Sequence, residues 1–322
     1  MIEAPVLGKD QDLSLGHYLQ EWLAHARGRV RATTYAGYEY LIRVHAVPAL
    51  GEVPLSELSP LHVQRLYSSL LVPGRHLSAG TVLNLHLVLT QALGQAVRWG
   101  ILERNPVKGA QPPRPVRPEP VVVDPSLASR IVAALSGSAV EAPGMLAIAT
   151  GMRRGEILAL RWGDLDPDLT MAQVRRTLHT TGRGLQFSEP KTRRSRRAVA
   201  LPRFVRPPLE RQRAEQGLRR ARARTWQDLD LVIDRGDGGP LNPDTLSSRW
   251  RLFLRHSGLP HVRFHDLRHG HATLMLLKGV HPKVVSERLG HASVGITLDL
   301  YSHVLPSMQQ DAVRAFDELF GT

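Results

Sequence analysis

Apolar positions in the first hundred residues recur at helical spacing. SLGHYLQEWLAHAR, residues 14–27, sets Leu15, Leu19, Trp22 and Leu23 on one face behind Ser14. Serine caps helix starts because its hydroxyl accepts a hydrogen bond from an otherwise unpaired backbone N–H. TTYAGYEYLIRVHAV (33–47) continues the helical pattern, and its Tyr35, Tyr38 and Tyr40 read as packing residues. SPLHVQRLYSSLL (59–71) opens on a capping serine with proline in the first turn. SAGTVLNLHLVLTQALGQAVRW (78–99) is the longest amphipathic run, and Gly100 suits its stop. Four helices with short connections predict a small bundle.

The pattern then breaks. Residues 105–125 contain seven prolines and almost no helical periodicity, which predicts an extended, semi-rigid tether. Its Lys108, Arg114 and Arg117 would let it lie along a polyanion. The expected organisation is a helical domain over residues 1–104, a proline-rich linker over 105–124 and a second domain over 125–322.

In that second part, 125–135 and 142–150 predict helices, and GEILAL from residue 155 starts another. TMAQVRRTL, LQFSEPKT and RRAVALP, between residues 170 and 202, alternate apolar and polar positions around turn signals and predict a short antiparallel sheet. Helical periodicity resumes from about 243 to the end, broken at Ser257-Gly258 and near 279–282. HPKVVSERLGHASVGITLDLY (281–301) has a helix-turn-helix look with Gly290 at the turn, and MQQDAVRAFDELF (308–320) predicts an amphipathic helix. The fold class is mainly α with a small antiparallel β-sheet, the sheet lying in an α+β second domain.

Composition narrows the function. The 322 residues carry 42 Lys plus Arg against 29 Asp plus Glu, a net charge of +13, which favours a polyanionic partner. The absence of cysteine excludes disulfides, thiol catalysis and thiolate metal sites. No apolar run approaches the roughly 18 residues of a membrane span, and no signal-peptide core opens the chain, so a soluble cytoplasmic protein is expected.

RFHDLRHGHATL (263–274) concentrates the candidate chemistry. His265 and His269 stand at i and i+4 with Asp266 between them, the spacing of a zinc-protease helix. Arg268 argues against metal, because it shares their face and would hold a fixed positive charge beside a dication. The same geometry suits a phosphate: His265 and Arg268 at i and i+3 offer an imidazole and a planar guanidinium fork to one spot. An ion pair or polar helix cap would use the same residues. His269 and His271 read as structural, and Gly270 is costly inside a helix by about 1 kcal/mol.

Further parts lie elsewhere. TGMRRGEILALRW (150–162) sets Arg153 at a helix start led by Gly151, with Glu156 one turn later and Arg154 as competitor. EPKTRRSRR (189–197) places Lys191 near a hairpin turn among arginines, and LGHASVGITLDLYSHV (289–304) carries His291 and Tyr301. With these elements the chain resembles the tyrosine recombinase family, that of phage integrases, from about residue 13 to 315. The HDLRH and LGHAS elements carry the likeness most specifically, and the N-terminal bundle less so.

The resemblance implies a helical core-binding domain followed by a catalytic domain. It implies that Arg153 and Arg268 hold the non-bridging oxygens of the scissile phosphate, and that Tyr301 attacks it to form a 3′-phosphotyrosyl linkage. Lys191 would protonate the departing 5′ oxygen, His265 and His291 would donate hydrogen bonds or help deprotonate Tyr301, and Glu156 would support the arginines. A phenol with a pKa of about 10 needs such a cationic, desolvated site, and arginines supply the charge without metal, ATP or other cofactor. The implied partners are double-stranded DNA at the nucleoid and a homotetramer in the DNA synapse, with a monomer when free and no membrane. About a dozen residues precede the first helix, too few for a separate arm-binding domain. Two other readings share these residues: DNA relaxation of the type IB topoisomerase kind, and a non-catalytic helix-turn-helix regulator.

Overall fold

The computed structural model describes residues 13–72, 77–115, 121–182, 184–189, 196–291, 293–295, 297, 298, 313 and 316–321. The chain divides into two compact units, Met1–Pro118 and Glu119–Thr322.

The first unit is helical. α1 (Leu15–Ala26) starts at Ser14, whose hydroxyl accepts from the His17 N–H, and buries Leu15, Leu19, Trp22 and Leu23. α2 (Ala32–Leu41) runs through a π-helical turn, Ile42–Ala46, into the short α3 (Val47–Leu50). The widened turn precedes Pro48, which has no N–H for the helical ladder and crowds the turn before it. α4 (Pro60–Leu71) and α5 (Ala79–Arg98) begin at the capping serines Ser59 and Ser78. Tyr38 packs against Trp22 with ring centroids 5.4 Å apart, and its hydroxyl donates to Gln91.

The proline-rich stretch contributes to both cores. A 3₁₀ turn, Pro106–Gly109, places Val107 and Ala110 in the core of the first unit, and Val123 is buried in the core of the second.

The second unit opens with α6 (Pro125–Leu135) and α7 (Glu141–Thr150), the latter buried along its whole length. α8 (Arg154–Leu158) is barely more than one turn, shorter than GEILAL alone suggests, because Leu160 turns away to accept from the Val232 N–H. The single expected sheet is two antiparallel pairs. β1 (Met171–Val174) joins β4 (Arg197–Ala200), with Ala172 opposite Val199, and β2 (Thr177–Thr181) joins β3 (Gly184–Ser188), with Leu178 opposite Phe187.

α9 (Arg206–Arg222) follows, a helix so rich in arginine that hydropathy alone did not reveal it. α10 (Pro243–His256), α11 (Asp266–Leu277) and α12 (Pro282–Leu289) complete the described architecture, apart from helical residues 295, 297, 298, 313 and 316–320. The break after α10 extends to residue 265, because Trp250 of α10 donates its indole N–H to the Val262 carbonyl and holds that stretch across the helix.

Candidate active site

α7 ends at Gly151, whose φ of +64° is the left-handed conformation that stops a helix cheaply only in glycine. The chain turns there and starts α8 at Arg153. The Arg153 backbone N–H donates to Glu156 Oε2 at 2.9 Å, and its Nη1 donates to Oε1 at 2.9 Å. Gly155 lets α8 close on β2, since a Cβ there would lie 2.5 Å from the Leu178 carbonyl oxygen. Arg154 points elsewhere, donating to Ser247 and Asp244 of α10.

Arg268 enters from the first turn of α11 and is only 3% exposed. Its Nη1 donates to the Gly151 carbonyl at 2.7 Å and its Nη2 to the Leu289 carbonyl at 2.8 Å. Arg197 of β4 reaches Glu156 from the other side, with Nη2 to Oε2 at 2.9 Å and Nη1 to Oε1 at 3.2 Å. Burial opposes the Glu156 charge, but the hydrogen bond and charge of Arg197, aided by Arg153, outweigh it and hold the carboxyl below its usual range.

Positive charge exceeds what Glu156 can balance. Burial, then the charges of Arg153 and Arg197, push the Arg268 guanidinium down to about 9 despite the nearby carboxylate. His291 shares a 2.9 Å hydrogen bond from Nδ1 with the Thr297 hydroxyl. Burial, then Arg268 and Arg153, push its imidazole down to about 4. His265 is also lowered, by burial first and then by His269 and Arg268, and its ring meets His269 edge-on at 5.2 Å. Arg153, Arg268, His265 and His291 thus converge on one region from α8, α11 and the turn after α12.

The other polar residues of α11 serve the scaffold. Asp266, the carboxylate of the zinc alternative, accepts from Arg263 Nη2 at 2.8 Å and from the Arg263 backbone at 3.0 Å. His271 binds the Ile148 carbonyl through Nδ1 at 2.9 Å and accepts from Arg288 at Nε2, 3.1 Å away. Lys191 and Tyr301 lie outside the described residues.

Two site residues escaped the sequence reading, Arg197 and Arg288. Arg197 had left a trace: it shares a strand face with buried Val199, an inward position for a charged residue. Arg288 left none, because its partners are distant in sequence.

Residues 129–308 match the phage integrase family, and residues 14–71 match the phage integrase N-terminal SAM-like domain. The chain belongs to the phage integrase family. The chain is 29% identical to a tyrosine recombinase XerC-like protein of Caldanaerobacter subterraneus subsp. tengcongensis, across 96% of its own length and 84% of the relative's. It is 25% identical to the ICEBs1 integrase of Bacillus subtilis, across 97% and 84%. Its fold is shared with a Tn1549 transposon integrase solved with a circular intermediate DNA, at a TM-score of 0.76 and 18% identity, over 93% of this chain and 99% of that one. A lambda integrase dimer solved on a COC′ core site matches at 0.66 and 17%, over 89% and 95%.

Proposed function

We propose that this protein is a site-specific DNA recombinase that cuts and rejoins strands through a 3′-phosphotyrosyl intermediate, integrating, excising or resolving DNA. The observation that carries the reading is the convergence of Arg153, Arg268, His265 and His291 in a buried site, where burial first and then their mutual positive charge lower Arg268 and both imidazoles despite the carboxylates of Glu156 and Asp266. Such a cluster costs the empty fold free energy, and a phosphodiester supplies the missing negative charge.

In the proposed step, Arg153 and Arg268 bind the two non-bridging oxygens of the scissile phosphate. The Tyr301 oxygen attacks phosphorus as its proton leaves, aided by neutral His265 or His291. The bond to the 5′ oxygen breaks, and Lys191 donates the proton that this oxygen takes up. Glu156 keeps Arg153 and Arg197 in place. The phosphodiester energy stays in the tyrosyl ester, so the reverse attack by a 5′ hydroxyl reseals a strand without ATP.

Residues 1–104 would bind the core site and 125–322 would cut it, joined through 105–124. Four protomers would form the synapse. Phe316, Leu319 and Phe320 support this assembly, because they are 65%, 76% and 74% exposed and want an apolar partner such as a neighbouring protomer.

The test uses nicked duplexes from the DNA flanking the gene and the junction of its ends. A covalent adduct should form, and its digestion should yield phosphotyrosine at residue 301. Tyr301→Phe should keep DNA binding and lose the adduct. Failure of every such duplex to give an adduct would reject the reading; relaxation of any supercoiled plasmid without strand exchange would favour a topoisomerase instead.

A further inference from the structure

The last turn of α12 ends in three successive carbonyls, each bound to a different arginine. Arg288 O accepts from Arg197 Nε at 2.6 Å, Leu289 O from Arg268 Nη2 at 2.8 Å, and Gly290 O from Arg153 Nη2 at 3.3 Å. Carbonyls at a helix end lack intrahelical partners and carry the negative end of the helix dipole, so guanidinia suit them. The positions of the three arginines therefore depend on where the end of an eight-residue helix is held.

The Arg288 side chain holds it. Its Nη2 donates to the Ala149 carbonyl of α7 at 3.0 Å and the Ala200 carbonyl of β4 at 2.8 Å. Its Nε donates to His271 of α11 at 3.1 Å. These elements are the ones that matter: α7 runs into Arg153, β4 carries Arg197 and α11 carries Arg268. One side chain ties α12 to all three, and the three then place their guanidinia on the carbonyls of residues 288–290. His271 can accept here only as a neutral ring, the form that burial favours.

We propose that Arg288 is a positioning residue for strand cleavage, fixing the carbonyl ladder on which Arg153, Arg197 and Arg268 are aligned. It touches no phosphate and acts through the three arginines. The proposal rests on the recombinase reading for its effect on cleavage, and on the geometry alone for its effect on the arginines.

The experiment compares the full-length protein with Arg288→Met and Arg288→Lys. Single-turnover adduct formation is measured on a nicked duplex that the unaltered protein cleaves, beside the affinity for that duplex. The arginine Nε resonances of nitrogen-15-labelled protein are recorded, those of Arg197 and Arg268 being assigned by substitution. Arg288→Met should slow cleavage by about tenfold to a hundredfold, the scale expected when reacting groups are misplaced by about 1 Å, while DNA affinity stays within about threefold. The Arg197 and Arg268 resonances should shift. Arg288→Lys, which keeps a charge but cannot reach His271 and both carbonyls together, should fall between; if Arg288→Met does not fold, it carries the test with the same readings.

Unchanged cleavage, or a loss that only tracks weaker DNA binding, would overturn the proposal. If the unaltered protein cleaves no duplex, the recombinase reading fails separately, and the resonances decide whether Arg288 positions the arginines: a shift supports it and unchanged signals sink it. Glu287→Gln, on the exposed side of α12, should leave every reading as it was.

Discussion

Gly270 of α11 lies so close to Val123 that a Cβ in its place would sit 2.6 Å from the valine Cβ. Val123 is 2% exposed and precedes α6, so this contact seats the helix that His265 precedes and whose first turn carries Arg268. Alanine at 270 would gain about 1 kcal/mol of helix propensity, whereas overpacking against a rigid β-branched carbon costs about 1–3 kcal/mol. Gly270→Ala should therefore be neutral to about 2 kcal/mol less stable in urea denaturation. Adding Val123→Ala should recover part of any loss caused by the clash. A clear gain in stability from Gly270→Ala alone would show that the contact yields.

Glu156 is 4% exposed and binds both Arg153 and Arg197. Breaking a buried pair by removing one partner costs about 3–5 kcal/mol, because the remaining charge is left uncompensated. Glu156→Ala should lose stability on that scale. Glu156→Gln, which keeps an acceptor, should lose less. Equal stability of Glu156→Ala and the unaltered protein would mean that the carboxylate does not anchor the arginines.

Acid should loosen the second unit before its carboxylates titrate. His271 and His291 have folded pKa values of about 4 against an ordinary 6.5. Above 6.5 both are neutral, folded or unfolded. As pH falls from 6.5 towards 4, the unfolded chain takes up protons that the folded chain refuses, and stability drops by up to about 1.4 kcal/mol per pH unit for the buried His271 and by less for the half-buried His291, which solvent screens. His265 and His269 of the same unit are also lowered and add in the same sense. Denaturation at pH 7.5, 6 and 5 measures the slope, which should flatten in His271→Gln.

Arg268→Lys should behave as a severe change. One ammonium cannot reproduce the planar fork that meets the Gly151 and Leu289 carbonyls and, in the proposed step, also binds the phosphate. Loss of a preorganised donor of this kind costs about a hundredfold to a thousandfold in rate. Adduct formation should fall by that much while binding of the duplex persists. Near-normal cleavage would remove Arg268 from the proposed mechanism.

Helix starts in the bundle were legible because their signals are local: Ser14, Ser59 and Ser78 each accept from an N–H three residues ahead. The pairing of His265 with Arg268 was legible for the same reason, since i and i+3 share a helix face. Arg197 was harder, standing in a run of arginines and meeting Glu156 from 41 residues away. Arg288 was invisible, because its carbonyl partners lie 139 and 88 residues off and backbone oxygens leave no mark in a sequence. Gly270 looked anomalous until Val123, on a distant stretch, filled the space beside it.

The carbonyl ladder at the end of α12 makes the rotational phase of that helix a quantity under constraint. A substitution cannot delete a main-chain oxygen, so point changes leave the ladder's acceptors in place. One residue inserted or removed within Pro282–Leu289 would instead turn its end by about 100°. Arg153, Arg197 and Arg268 would lose their seats together, and the chain would tolerate replacement there far better than a change of length.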